Sequence, residues 1–322
     1  MSTDNRELLP WHESQWRHWQ QYVASGTIPH ALLLTGPPGL GKQQFAHRIS
    51  RSLLCSAPLD GLPCGQCQDC CLVSDHPDLH LIQPDQQFIR VAAIRDMIHT
   101  ISLASRTWRI FVLRPADTLH PAAANALLKT LEEPTPNTLL ILLSALPHRL
   151  PATIRSRCQI LAFQPATTTQ AKTWLQQQQA EVDWEPLLAL SGRAPLAALA
   201  ALESDRSERI QALIESLTAL STGHTQPMQL VSLWAKQPFG ELLNDFTVIC
   251  YDMVRLSAGY VQGLFLLQAV DALQSLSAKA HLTSLLRFIE QLNRLKRQQQ
   301  VNLNTAMCVE ALVSSWLALI LS

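Results

Sequence analysis

Four cysteines in the first quarter of the chain have a spacing that suits metal binding. They are Cys55, Cys64, Cys67 and Cys70, and they form the pattern C-x8-C-x2-C-x2-C. Gly61 and Gly65 between them allow tight turns that bring four thiolates to one point. Zn²⁺ binds four thiolates tetrahedrally in structural sites, and such a set leaves no open position for catalysis. The spacing therefore predicts a structural zinc module at about residues 55–71, ordered by the metal that it binds.

Three other side chains near this segment are rival ligands that we do not expect to bind. Cys71 follows Cys70 directly, and because adjacent residues rarely both bind one ion, Cys71 is interpreted as a spectator. His76 and His80 are interpreted as ordinary loop histidines, since four cysteines already complete the coordination of zinc.

A second segment, residues 36–43, reads GPPGLGKQ and lies between an apolar run and a helical pattern. This is the context of a phosphate-binding loop, in which backbone N–H groups and a lysine surround phosphates. The phosphate-binding candidates are Gly36, Gly39, Gly41 and Lys42. The full pattern ends in Ser or Thr, whose hydroxyl binds Mg²⁺, and Gln43 supplies an amide instead. The loop could hold a nucleotide, but it lacks one of its magnesium ligands.

The end of the third apolar run departs further from a working site. A carboxylate is needed there to hold Mg²⁺, and the positions are occupied by Arg114 and Pro115. Asp117, three residues beyond, is interpreted as a cap of the following turn. We therefore favour a vestigial loop that does not bind ATP, retained because the strand-to-helix turn needs its glycines. An active nucleotide site is the alternative.

Composition limits the classes of function. The chain has 322 residues, of which 47% are hydrophobic and 16% charged, and 25 basic residues balance 25 acidic ones. This composition therefore predicts a globular protein. It also predicts that the protein lacks the overall positive charge that holds nucleic acid by counterion release. No export signal is recognised and the apolar stretch 311–321 is too short to span a bilayer, so we expect a cytoplasmic protein that does not enter membranes.

The spacing of apolar residues predicts the strands and helices that must position these segments. Short apolar runs separated by helical patterns predict the buried parallel strands of an α/β sheet. The runs are Ala31–Thr35, Ile110–Leu113, Leu139–Leu143 and Ile160–Phe163, with Leu79–Ile82 as a weaker fifth candidate.

Beyond residue 165 the strand signal ends and only helical spacing continues. Gly192 and Pro195 interrupt the first helical part, whereas later apolar residues such as Ile210, Leu213 and Leu217 repeat regularly. The sequence therefore predicts three domains. They are an α/β domain at 1–165 that contains the zinc module, a small helical lid at 166–205 and an all-helical collar at 206–322.

Three segments together resemble bacterial clamp-loader subunits of the AAA+ class, whose nucleotide-binding fold is of the P-loop α/β type. They are the cysteine pattern, the segment NALLKTLEEP at residues 125–134, and Ser156-Arg157-Cys158. Their order and spacing match that family from about residue 28 to 165, and the helical remainder agrees with its lid and collar.

Within that family, the departures from the motif favour a non-hydrolysing stator over an ATP-hydrolysing motor. Gln43, Arg114 and Pro115 replace three catalytic parts of a motor, and Pro195 stands where a motor's lid offers an arginine. The resemblance implies that Arg157 reaches the ATP of a neighbouring subunit. A guanidinium suits this role because it is always charged and its planar fork can bridge phosphate oxygens. From the residues alone, Arg157 would instead be a surface arginine in a salt bridge.

The resemblance also implies partners: gamma or tau motor subunits, delta, and, through the assembled complex, a sliding clamp and primer–template DNA. Two other functions stay open at this point. One is an active AAA+ ATPase that uses Lys42 with an unrecognised carboxylate. The other is a zinc-dependent DNA-binding adaptor, against which the segment 54–75 contains no lysine or arginine.

Overall fold

The computed structural model describes residues 8–58, 61–72, 76–102, 108–203, 206–260, 264–298 and 304–321. Its contacts divide the chain into two compact units, Met1–Trp174 with Ala194–Ala197, and Leu175–Arg193 with Ala198–Ser322. The division into three domains at residues 165 and 205 stays a prediction, and the predicted end of the lid at residues 204–205 lies outside the described residues.

The first unit is built on a five-stranded parallel sheet with the strand order β2-β3-β4-β1-β5. The strands are β1 (Ala31–Thr35), β2 (Leu79–Ile82), β3 (Arg109–Leu113), β4 (Thr138–Ser144) and β5 (Gln159–Ala162). All five predicted strands are confirmed, the weakest candidate included. Three of them begin one residue earlier than predicted; for β3 and β4 the register adds the pair Arg109 and Thr138.

Helices cover both faces of this sheet, which explains why its central strands are apolar throughout. Along β1, Leu32 and Leu34 pack into one hydrophobic cluster, while Ala31 and Leu33 pack into the other. Alternate side chains of one strand thus reach opposite layers, as parallel sheets between helices require.

The helices of this unit lie before, between and after the strands. They are α1 (Glu13–Ser25), α2 (Lys42–Leu54), α3 (Gln68–Leu72), α4 (Val91–Ser102), α5 (Pro121–Glu132), α6 (Ala152–Arg155) and the first part of α7 (Thr168–Gln178). The segment NALLKTLEEP begins inside α5, a helix that starts at Pro121 and buries Leu127 and Leu131. Proline suits this first position because its missing N–H has no helical partner there.

The rest of the described chain contains helices only, as predicted. They are α8 (Trp184–Leu190), α9 (Pro195–Glu203), α10 (Arg206–Ser221), α11 (Pro227–Trp234), α12 (Phe239–Ser257), α13 (Val270–Ser277), α14 (Leu282–Gln298) and α15 (Thr305–Leu321). In the second unit, the core includes edge-to-face contacts among the rings of Trp234, Phe246, Phe288 and Trp316. Within the described residues, every helix is too short or too polar to cross a bilayer.

Candidate functional site

The four predicted metal ligands come together at the end of α2. Cys55 caps the C-terminus of this helix, Cys70 lies in the short helix α3, and Cys64 and Cys67 lie in the turn before it. Their four sulfur atoms all lie within 4.8 Å of one another. The Cys55–Cys67 and Cys64–Cys70 sulfur pairs are separated by 3.8 and 4.0 Å. A tetrahedral ZnS₄ site with bonds of about 2.3 Å has sulfur–sulfur edges of about 3.8 Å, so the donor set fits zinc.

Backbone geometry supports the cluster independently of any ion. Three backbone N–H groups donate to its sulfurs: Cys64 to Cys55 at 3.3 Å, Cys67 to Cys64 at 3.3 Å and Cys70 to Cys67 at 3.4 Å. Hydrogen bonds from Ser56 and from the backbone of Cys70 lower the pKa of Cys67 to about 5, while burial raises the pKa of Cys70 to about 12. Binding of a metal by all four sulfurs as thiolates would release protons.

The rival ligands have other contacts. The thiol of Cys71 is exposed and donates to the carbonyl of Gln66 at 3.8 Å. The buried ring of His76 faces the carboxylate of Asp69 at 3.5 Å, and the ring of His80 stacks on Phe111. None of the three belongs to the group of close donors. The interpretation of His80 as a loop histidine is wrong, because this residue lies in the strand β2.

At the other end of α2, the phosphate loop uses its lysine internally. Lys42 is the first residue of the helix, and its ammonium donates to the carbonyls of Gly36 and Pro37, each at 2.6 Å. Burial lowers the pKa of Lys42 to about 8, and the carboxylate of Asp117 partly opposes this effect. Two of the three ammonium donors are therefore engaged with the loop's own backbone.

The glycines of the loop lie against other segments of the same unit. A Cβ at Gly36 would lie 2.4 Å from the carbonyl oxygen of Phe163, and one at Gly39 would lie 2.4 Å from the Cβ of Ala197. A Cβ at Gly41 would meet the Leu9 side chain at 2.5 Å. Each glycine thus permits a close approach as well as the positive φ of its turn.

The N-terminal segment also binds this loop through Trp11 and His12, which follow Leu9 in a short 3-10 helix. Trp11 Nε1 donates to the carbonyl of Leu40 at 2.9 Å, and His12 Nε2 lies 2.5 Å from the same oxygen. A carbonyl can only accept, so the neutral His12 ring carries its proton on Nε2. Burial lowers the pKa of His12 to about 4, which keeps the ring in this form.

The positions that would hold magnesium are occupied as the sequence indicates. The amide of Gln43 lies 3.4 Å from the ring of His47, one turn further along α2. Arg114 follows β3, and its guanidinium, with that of Arg51, adds to the effect of burial in lowering the pKa of His47. Two cations, Arg114 and Arg51, therefore lie close to the ring of His47.

The interpretation of Asp117 as a cap of the following turn is wrong. Its carboxylate accepts instead from the hydroxyl of Ser144 at 2.7 Å and from the backbone N–H of Ala145 at 3.1 Å. The carboxylate thus joins the ends of β3 and β4. Its role is structural, as expected, but its partners lie on a neighbouring strand that is distant in sequence.

Arg157 lies in the turn between α6 and β5, and its side chain is 36% exposed. Its Nη1 donates to the carbonyl of Thr153 at 3.0 Å, and its Nη2 donates to Glu132 at 2.7 Å. This is the surface salt bridge that the residues alone predict. An exposed pair of this kind contributes about 0–1 kcal/mol, so the guanidinium is held weakly and stays accessible.

Sequence reasoning missed the residues that pack on the loop and the partner of Arg157. Leu9, Trp11 and His12 carry no motif, although the two aromatic rings with polar atoms, Trp11 and His12, favour a buried position with a hydrogen-bond partner. For Glu132 a signal was available, because two glutamates in the last turn of a helix oppose its dipole and therefore favour a basic partner.

Comparisons with known proteins agree over nearly the whole chain. One family model, "DNA polymerase III, delta subunit", matches residues 11–167, and another, "DNA polymerase III, delta subunit, C terminal", matches residues 202–317. The DNA polymerase III subunit delta-prime of Pseudomonas aeruginosa is 31% identical over 328 residues, which cover 97% of this chain and 98% of that protein.

The similarity to tau subunits covers less of the chain. DNA polymerase III subunit tau of Bacillus subtilis is 33% identical over 153 residues, which cover 46% of this chain and 27% of that protein. A crystal structure of a gamma subunit-related protein from Thermotoga maritima superposes with a TM-score of 0.51 at 16% identity, covering 95% of this chain and 99% of that one. The predicted fold class is thereby confirmed: a P-loop α/β domain of the AAA+ type with a cysteine insertion, followed by helices.

Proposed function

Because the chain belongs to the delta-prime family of DNA polymerase III subunits, we propose that it is the non-hydrolysing stator of a clamp loader. In this role it assembles in the cytoplasm with gamma or tau motor subunits and delta, and the complex loads a sliding clamp on primed DNA. The observation that carries the proposal is the match to delta-prime along 97% of the chain, against 46% for tau.

The absence of hydrolysis by this chain is supported by the state of its phosphate loop. Lys42 is bonded to two carbonyls of the loop, and the backbone around Leu40 is bonded to Trp11 and His12. Gln43 and Arg114 supply an amide and a cation where magnesium needs a hydroxyl and a carboxylate. The loop therefore acts as a packing element, and ATP is bound by the neighbouring motor subunits.

The contribution of this chain to hydrolysis is the guanidinium of Arg157, offered to the ATP of a neighbouring subunit. Support comes from its accessibility and from its permanent charge. The short helix α6 fixes the backbone immediately before it, and β5 fixes the backbone after it. A residue held in this way reaches the developing charge on a transferred phosphoryl group without reorganising the domain.

The test is Arg157→Ala in a loader reconstituted with tau and delta. An arginine finger typically contributes a factor of about 10³–10⁵ to kcat, so the site served by this chain should lose at least about tenfold in ATP turnover. Assembly, measured by size-exclusion chromatography, should be unchanged. Arg149→Ala removes another exposed arginine ahead of α6 and is the matched control. Wild-type turnover by the Arg157 variant would exclude the role.

We further propose that Cys55, Cys64, Cys67 and Cys70 hold a structural Zn²⁺. The donor set and the sulfur separations support this metal, and four thiolates leave no position for substrate. The ion would fasten the turn and α3 to the C-terminus of α2.

A further inference from the structure

We infer that Glu132 is a positioning residue for the trans-acting arginine, an inference that rests on the proposed function of Arg157. The carboxylate of Glu132 accepts from Nη2 of Arg157 at 2.7 Å. This contact favours one orientation of the guanidinium before a neighbouring subunit binds.

The two anchors of the guanidinium come from different elements. Thr153 lies one turn earlier in α6 and receives Nη1 through its carbonyl, whereas Glu132 is the last residue of α5 and receives Nη2. Arginine has five N–H donors in a rigid fork. Two donors fix the plane of the fork, and three are left for phosphate oxygens.

The position of Glu132 indicates that its contact with Arg157 matters. A carboxylate in the last turn of a helix opposes the helix dipole, whose C-terminal end is negative. The positive charge of Arg157 offsets this unfavourable interaction of the Glu132 carboxylate with the helix end. Glu133 follows directly as the C-cap of the same helix, is exposed, and has no hydrogen bond or ion pair with Arg157 in the described structure. Glu133 is therefore a control for the effect of a negative charge at this helix end without contact to Arg157.

Positioning and inhibition by the same salt bridge predict opposite results. A long side chain that is free in solution loses rotamer freedom when it binds, and a weak contact that already holds it reduces this loss. Removing the carboxylate should then lower turnover. If the salt bridge instead withheld Arg157 from the neighbouring ATP, removing the carboxylate would raise turnover.

The experiment uses the complete reconstituted loader and measures kcat and KM for ATP. We expect Glu132→Gln to lower kcat about two- to fivefold, as an exposed ion pair allows, with KM unchanged because the arginine acts in the transition state. Glu132→Asp keeps the charge and should recover part of the loss. Glu133→Gln should behave as wild type.

A double variant separates an effect through Arg157 from a general structural effect. If Glu132 acts through Arg157, the double variant Glu132→Gln with Arg157→Ala should have the same kcat as Arg157→Ala alone. Additive losses, or a Glu132→Gln variant indistinguishable from Glu133→Gln, would overturn the positioning role while Arg157 keeps its own. Unchanged turnover in Arg157→Ala would overturn the proposed function itself.

Discussion

The two ends of α2 carry two binding motifs, the phosphate loop and the cysteine cluster, whose polar groups have different partners. At the N-terminal end, the polar groups of the phosphate loop are bonded to one another and to Trp11 and His12. At the C-terminal end, four sulfurs lie within 4.8 Å of one another, in the arrangement that a tetrahedral metal ion would bind. The difference teaches how to distinguish a motif that has become packing from one that is arranged for binding: the polar groups of the first are bonded to the protein itself, whereas the sulfurs of the second have the spacing that a metal ion requires.

The largest effect is expected at the cysteine end. Cys67→Ser should reduce bound zinc from about one ion per chain to none and lower the melting temperature, since structural zinc contributes on the order of 10 kcal/mol to small zinc domains. Metal content of protein purified under reducing conditions, measured by mass spectrometry, checks this. The exposed neighbour provides the control, because Cys71→Ser should keep its zinc. Zinc-free wild-type protein would refute the metal assignment.

The loop end should respond to acid. The pKa of His12 is about 4 in the folded chain against 6.5 for a free side chain, so the unfolded state binds a proton that the folded state refuses. The resulting stability is present above pH 6.5 and is lost as the pH falls toward 4, by at most about 3 kcal/mol.

Denaturant unfolding at several pH values measures this loss. His12→Gln should be less stable than wild type at pH 7.5, and the gap should narrow toward pH 4. His18→Gln, an exposed change on α1, should leave the profile unaltered. A constant gap would mean that His12 is not held neutral against the loop.

A smaller effect tests the close packing of the loop. Gly39→Ala places a Cβ 2.4 Å from that of Ala197, whereas Gly26→Ala meets nothing within 4 Å. Both glycines have positive φ, 77° and 65°, so the backbone strain is similar in the two variants. Gly39→Ala should therefore cost about 1–3 kcal/mol more in the free energy of unfolding. Equal costs would show that the loop is open at Gly39.

No effect at all is expected in the last test. The isolated chain should not turn over ATP, and Lys42→Ala should leave this baseline unchanged. Phosphate release is the measurement. Turnover comparable to that of a competent AAA+ subunit, abolished by Lys42→Ala, would show that the loop is an active site. The phosphate loop would then bind a ligand of its own and would not be only a packing element.

The sequence predicted what depends on local spacing. The ligands from Cys55 to Cys70 lie within one short segment, and the apolar runs that became β1 to β5 are continuous in the chain. It did not predict contacts between distant segments, because no local pattern records them. His12 meets Leu40 across 28 residues, and Arg157 meets Glu132 across 25. The interpretation of Asp117 was wrong for the same reason, since its partners Ser144 and Ala145 lie at the end of β4, whereas a capping partner would have been local in sequence.

The attachment of Cys55 to the C-terminus of α2 has a consequence for the whole first unit. The helix has 13 residues, about 20 Å, and its buried face forms part of the core against the sheet. If the folded chain binds zinc and the unfolded chain does not, each tenfold fall in free zinc, while the site remains mostly occupied, lowers the stability of this unit by about 1.4 kcal/mol. Metal supply would then set how long a replication subunit survives between rounds of synthesis.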